Sequence, residues 1–264
     1  FGIMTLAIRM VPGDLHVFEI VFFRNLFALM LLLPFDARKG LALFHTKVLR
    51  LHILRASLNV VVMLAFFEAL RITPMAPAVA LSYVSPIISA ILAVVLLREP
   101  LRAHRILAVV VGFVGALVIV RPGVGEVHPG LLLILLSATT WAFTLIVIKV
   151  LSRTESNGTI LLYMSLLMAP ITGLLAIPVW QTPSLAQLGA MAVIGLTGAV
   201  GHYVMAAALR YADTTAILPM DFLRLVWSAL GAMWLFGEQP DAWTLVGGAL
   251  IFAGTTYQAI RETQ

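Results

Sequence analysis

Cysteine is absent from this chain of 264 residues, which excludes disulfides, thiolate metal sites and cysteine nucleophiles. Charge is scarce as well: Asp, Glu, Lys and Arg make up 11% of the residues, against about 25% in ordinary soluble domains. The sequence also lacks H-E-x-x-H, G-x-S-x-G and a phosphate-cradling G-x-x-x-x-G-K-S/T. Zincin, serine-hydrolase and nucleotide-driven chemistry therefore have no footing, and we expect neither an enzyme nor a resident cofactor or metal.

What is abundant is apolar surface. Hydrophobic residues make up 61% of the chain and the mean hydropathy is +1.05. In water such a chain would expose large greasy patches, whereas a bilayer makes that surface its favoured one. The composition predicts a polytopic, all-α membrane protein. A net charge of +5 does not suggest nucleic acid, because the basic residues sit between apolar runs and not along one face.

The chain repeats itself. Ala65 to Arg121 returns as Val204 to Ile260 at a constant shift of 139 positions. Ala69-Leu70-Arg71 reappears as Ala208-Leu209-Arg210, and Ser89, Glu99, Phe113 and Gly115 as Ser228, Glu238, Phe252 and Gly254. Alanine and leucine matches are cheap in an apolar chain, but an identically placed Arg, Glu and Gly indicate a duplicated unit. We expect one repeat over 1–122 and a second over 129–262.

Cutting the apolar runs at their punctuation predicts ten spans. Phe1 to Val11 shows no cleavable signal and is too short to cross alone at about 20 residues per span, so we expect the truncated remnant of a first span. The second covers about Val17 to Pro34. The basic connector Asp36 to Arg55 is expected as an amphipathic helix on the lipid surface. The third span runs to Arg71, the fourth over Met75 to Leu97 and the fifth over Ala103 to Val120. Arg121-Pro122-Gly123 separates the halves. Spans then follow at Pro129–Val150, Gly158–Val179, Leu185–Leu209, Thr214–Phe236 and Ala242–Ile260. Glu99 with Pro100 is expected to open the fifth span, and Pro240-Asp241 to do a similar job before the tenth, so that a helix-start role is the plain reading of the repeated Glu99 and Glu238.

Five spans per half is an odd number, so the second copy must insert upside down. With both termini cytoplasmic, twelve basic residues fall in inside connectors and only Arg71 and Arg121 outside, a clear positive-inside signal.

Charges at bilayer depth cost about 2.5–3.5 kcal/mol each and need a reason. In the ninth span Asp221, Arg224 and Ser228 fall at i, i+3 and i+7, one polar stripe, and the shift carries it onto Ser82, Ser85 and Ser89 in the fourth span. Two inverted polar faces meeting at the midplane would line a central cavity, the transporter arrangement. A neutralised ion pair for Asp221 and Arg224, and close helix packing for the serines, are the competing readings. Trp141, beside Ser137, Thr140 and Thr144, suits a cavity wall, and Arg24 with Glu19 in the second span must seek partners on other helices. The substrate-binding set is thus Asp221, Arg224, Ser228, Ser82, Ser85, Tyr83, Trp141 and Arg24. His202 with Tyr203 fits a proton relay as well as a hydrogen-bonded buried histidine, leaving proton or ion coupling open.

The string Tyr83-Val84-Ser85-Pro86, then Arg98-Glu99-Pro100, Gly112 to Gly123, Trp141-Ala142 and Gly237-Glu238 resembles the EamA type of the drug/metabolite transporter superfamily. The resemblance implies ten helices in two inverted five-helix halves, a bacterial inner membrane, and a small-molecule solute such as an amino acid, nucleoside or similar amphiphile, moved by alternating access. A membrane-embedded enzyme or accessory subunit acting on a lipid-linked substrate is the alternative. Cargo, direction and oligomeric state are not encoded in any motif.

Overall fold

The computed structural model of the protein describes residues 2–12, 15–36, 46–97, 103–121, 128–151, 154–211, 227–228 and 230–262. All regular structure among them is helical. α1 is Gly2–Arg9, α2 Val17–Asp36, α3 Leu49–Ile72, α4 Met75–Ser82, α5 Ser85–Leu97, α6 Ala103–Val120, α7 Pro129–Leu151, α8 Asn157–Ala176, α9 Leu185–Tyr211 and α10 Ala242–Glu262. A 3-10 turn, Ile177–Val179, closes α8, and residues 230–236 are helical ahead of α10. Among the described residues this makes ten helical segments, with α4 and α5 taken together as the fourth.

Apolar residues cover most faces of these helices, so many point outward: Leu174 is 68% exposed, Phe113 62% and Leu185 88%. Lipid, not water, is the solvent such faces favour. Among the described residues Leu49–Ile72, Pro129–Leu151 and Gly158–Val179 each have the length and hydropathy to cross a bilayer.

Neighbour relations follow the repeat. α3 packs on α7 and α8, and its counterpart α9 packs on α1 and α2. α2 meets its own counterpart α8, and α6 meets α10. That last crossing is backbone to backbone: a Cβ on Gly115 would lie 2.7 Å from the Gly247 carbonyl, and one on Gly247 2.6 Å from the Gly115 carbonyl. Small residues that admit such approach are how helices associate in lipid, where no hydrophobic force draws them together.

The connector expectation needs correction. Leu49 to Arg55 is the first turns of α3, not a helix on the lipid surface, and Arg55 is buried with Nη1 donating to the Ile160 carbonyl of α8 at 2.6 Å. A guanidinium bonded to a neighbouring helix outcompetes one left at the interface. Residues 37–45 lie outside the described residues.

Candidate functional site

The fourth span is broken. α4 ends at Ser82, α5 begins at Ser85, and between them the Tyr83 N–H turns back to the Ala80 carbonyl at 3.2 Å and the Val84 N–H to Leu81 at 3.1 Å. Pro86 explains the break, since it has no N–H to give the carbonyl of Ser82 one turn earlier. Discontinuous helices are tolerated at membrane depth where protein or a water-filled space satisfies the freed backbone.

The serine stripe straddles this break. Ser82 is half-buried and its hydroxyl donates to the Val79 carbonyl at 2.7 Å. Ser85 and Ser89 hold buried hydroxyl oxygens with no hydrogen-bond partner, and so does Ser228, the repeat counterpart of Ser89. Orphaned buried hydroxyls are rare in folded proteins and call for a water or a ligand. Tyr83 is buried at the break itself.

α7 packs against both α4 and α5 and so brings Trp141, half-buried, to the helix that faces the broken span. Its hydroxyl neighbours are committed elsewhere. Ser137 donates to the Val62 carbonyl of α3 at 3.0 Å, Thr140 to Leu136 at 2.8 Å and Thr144 to Thr140 at 3.0 Å. Ser137 thus bonds across to α3, while Thr140 and Thr144 close onto carbonyls of α7 itself.

Arg24 is 1% exposed. Nη1 donates to Asn25 Oδ1 at 2.8 Å and sits 3.5 Å from Met63 Sδ of α3. On the α9 side Gly195 and Gly198 let α2 approach: a Cβ at Gly198 would come 3.0 Å from the Arg24 Nη2. Its Nε has no partner. Glu19, five residues earlier, lies elsewhere, its carboxylate accepting from the Gln181 N–H at 2.8 Å. Neither pairs with the other, but the expectation of partners on other helices needs correction at Arg24, whose short bond is to Asn25 of its own α2 and which reaches another helix only at Met63.

Asp221 and Arg224 lie outside the described residues, as do Pro219 and the side chains of His202 and Tyr203. A second polar line, not expected from the sequence, is formed by His52, Arg55 and Asn59, spaced i, i+3, i+7 along the buried face of α3. His52 stacks on Tyr163 with ring centroids 4.5 Å apart, and Asn59 reaches the sulfurs of Met164 and Met168 at 3.3 Å. Their spacing is visible in the sequence once Arg55 is counted with the span and not with the connector.

A cavity of about 280 Å³ lies at one end of the molecule. Its lining joins the two halves: Thr73 and Pro77, with Arg121, from the first, and His128, Glu238 and Asp241 from the second. Among the described residues, none of the expected site residues lines it.

Glu238 does not cap α10. Asp241 does, accepting from the Thr244 N–H at 2.9 Å, while Glu238 Oε2 accepts the Met75 N–H of α4 at 2.8 Å, across the molecule. Asp241 also pairs with Arg121 at 2.8 Å. Its carboxyl is held below the usual carboxylate range, first by the hydrogen bond from the Thr244 side chain, with Arg121 and the Thr244 backbone helping against burial.

Helices paired about a pseudo-two-fold, a span broken beside buried unpaired hydroxyls and a lipid-facing exterior define a multi-pass membrane carrier. The chain belongs to the EamA-like transporter family, whose pattern matches residues 1–121 and again 128–257. It is 32% identical over 243 residues to an S-adenosylmethionine uptake transporter of Rickettsia prowazekii (strain Madrid E), covering 92% of this chain and 83% of that protein. It is 30% identical over 244 residues to a riboflavin transporter of Brucella anthropi, covering 90% and 86%. A pseudopaline exporter of Pseudomonas aeruginosa matches at 28% over 260 residues, 95% and 89%. A solved crystal structure shares the fold with a TM-score of 0.67 at 17% identity, covering 100% of this chain and 96% of that one. The protein is a membrane transporter of small metabolites, not an enzyme.

Proposed function

We propose that the protein carries a metabolite joining an aromatic ring system to a zwitterionic amino-acid portion, of the S-adenosylmethionine kind, by alternating access between its two halves. The observation that carries this reading is the set of buried, unpartnered hydroxyls of Ser85, Ser89 and Ser228 on the broken fourth span and its repeat. They are groups in want of a polar solute, with Tyr83 and Trp141 at hand to hold a ring. Arg224 would take the solute carboxylate and Asp221 its cationic group, with Ser82 at the same stripe and Arg24 lending positive charge from α2. The relatives that take up S-adenosylmethionine support the class, and those that carry riboflavin share its large heterocycle.

The excess of basic residues in one set of connectors supports an orientation with both termini in the cytoplasm of a bacterial inner membrane. The test is purified protein in liposomes given radiolabelled S-adenosylmethionine. Saturable accumulation of the unmodified compound, competed by S-adenosylhomocysteine and lost in Arg224→Gln, is expected. Chemical alteration of the solute inside, or accumulation unaffected by Arg224→Gln and by Ser85→Ala together, would overturn it.

A further inference from the structure

The cavity end of the molecule is held together by groups that no account of the solute site uses. At its centre is Glu238. The helical turn at 230–236 ends on Gly237, whose φ of +67° is the left-handed conformation that glycine adopts without strain. The Gly237 N–H returns to the Met233 carbonyl at 3.2 Å and the Glu238 N–H to Ala232 at 3.2 Å, a glycine-terminated helix end. This reversal throws the Glu238 side chain away from its own half.

It meets two groups of the other half. One is the Met75 N–H, an orphan donor in the first turn of α4: the residue before it is Pro74, which offers no side-chain cap. The second is the Arg9 guanidinium at the end of α1, ion-paired with Glu238 and also donating to the Thr73 carbonyl at 3.2 Å. Arg9 lies over the Phe236 ring, 5.1 Å from its centroid, so the same span is gripped twice. Arg121 with Asp241, and Thr73 with His128 at 3.2 Å, tie the halves at two further points around the cavity.

We propose that Glu238 is a positioning residue for transport: with Arg9 and the α4 N-terminus it forms a clasp that keeps this end shut, and its release lets α4 swing. α4 is eight residues long, about 12 Å, and ends at Ser82, next to Tyr83 and the Ser85 that opens α5. A clasp on its first turn therefore governs the break that carries the serine stripe. The idea rests on the transporter reading for its purpose, but its geometry is tested without any solute.

The chain has no cysteine, so a single one reports on one place. Leu131→Cys lines the cavity and is buried; Ala142→Cys, in the interior of α7, is the control. Each is reacted in purified full-length protein with a charged methanethiosulfonate. Loss of a partly buried ion pair should raise labelling at position 131 by about fivefold in Glu238→Gln, through a larger open population. Arg9→Gln, which leaves the Met75 cap intact, should do the same, and the double variant no more than either. Labelling at 142 stays unchanged. Unaltered labelling at 131 in both single variants overturns the clasp, and so does equal acceleration at 131 and 142, which reports unfolding. Should Glu238→Gln not fold, Arg9→Gln alone decides by the same two criteria. Failure of liposome uptake with positive labelling would sink the transport reading and leave the clasp standing.

Discussion

At the scale of single residues, the chain separates polar groups that hold the fold from polar groups held ready. Asp241 is of the first kind. A depressed carboxyl contributes stability above its unfolded pKa of about 3.9 and loses it as pH falls through the folded value. The melting temperature of the wild type should therefore exceed that of Asp241→Asn at pH 7, with the difference closing below about pH 4. Because Asp241 is about two-fifths exposed, the effect is small, about 1 kcal/mol or less; a gap that does not narrow at all as pH falls below about 4 would refute it. Ser85 and Ser228 are of the second kind. Deleting a hydroxyl that makes no bond costs the fold little, so Ser85→Ala and Ser228→Ala should melt within about 0.5 kcal/mol of wild type. If each hydroxyl bonds the solute, KM for uptake should rise by about twofold to tenfold. Thermal melting and initial-rate uptake, run on the same preparations, check both halves of that statement.

Elements were more legible than their partners. Apolar runs and punctuation place α6 to α10 within a few residues because a membrane span must satisfy its own backbone, and this leaves local sequence in control. Asp241 is readable as an N-cap for the same reason. The start of α3 was hidden, because basic residues such as Arg55 look like a connector until α8 supplies the Ile160 carbonyl. The partner of Glu238 was hidden too: nothing local says that a carboxylate after a helix will cap a helix on the other half. Of the candidate site, the serine stripe was visible as spacing, but not which hydroxyls stay unpaired, since Ser82 closes onto its own helix and Ser85 does not. Two predictions belong here. Pro86→Ala returns an N–H that can reach the Ser82 carbonyl, so the fourth span should stiffen. We expect unchanged or raised melting temperature with reduced uptake, and normal uptake would separate the break from function. At the α6–α10 crossing, Gly115→Ala forces apart helices in backbone contact and should destabilise by about 1–3 kcal/mol. Adding Gly247→Ala should cost less than a second such increment, since one widened gap accommodates both methyls; denaturant titration of the two singles and the double gives the coupling.

For the molecule as a whole, duplication and inversion make the two ends chemically different versions of one design. Trp180, Trp234 and Trp243 all stand at the cavity end, exposed to the interface where indoles anchor. In the sequence most basic residues fall in the opposite set of connectors. Cytoplasmic connectors attract Lys and Arg, so the cavity end should face out, with the Glu238 clasp closing the outer mouth. Alkaline phosphatase, active only when exported, should be silent when fused after residue 264 and active when inserted at 122–127, between the halves. If the two fusions give the reverse pattern, the basic residues have been outvoted and the clasp closes the inner mouth. That result would reverse the sidedness of any solute protection measured at Leu131→Cys. Orientation and clasp are thus linked: an impermeant reagent added to intact cells reaches a cysteine at position 131 after Arg9→Gln only if the phosphatase between the halves is active.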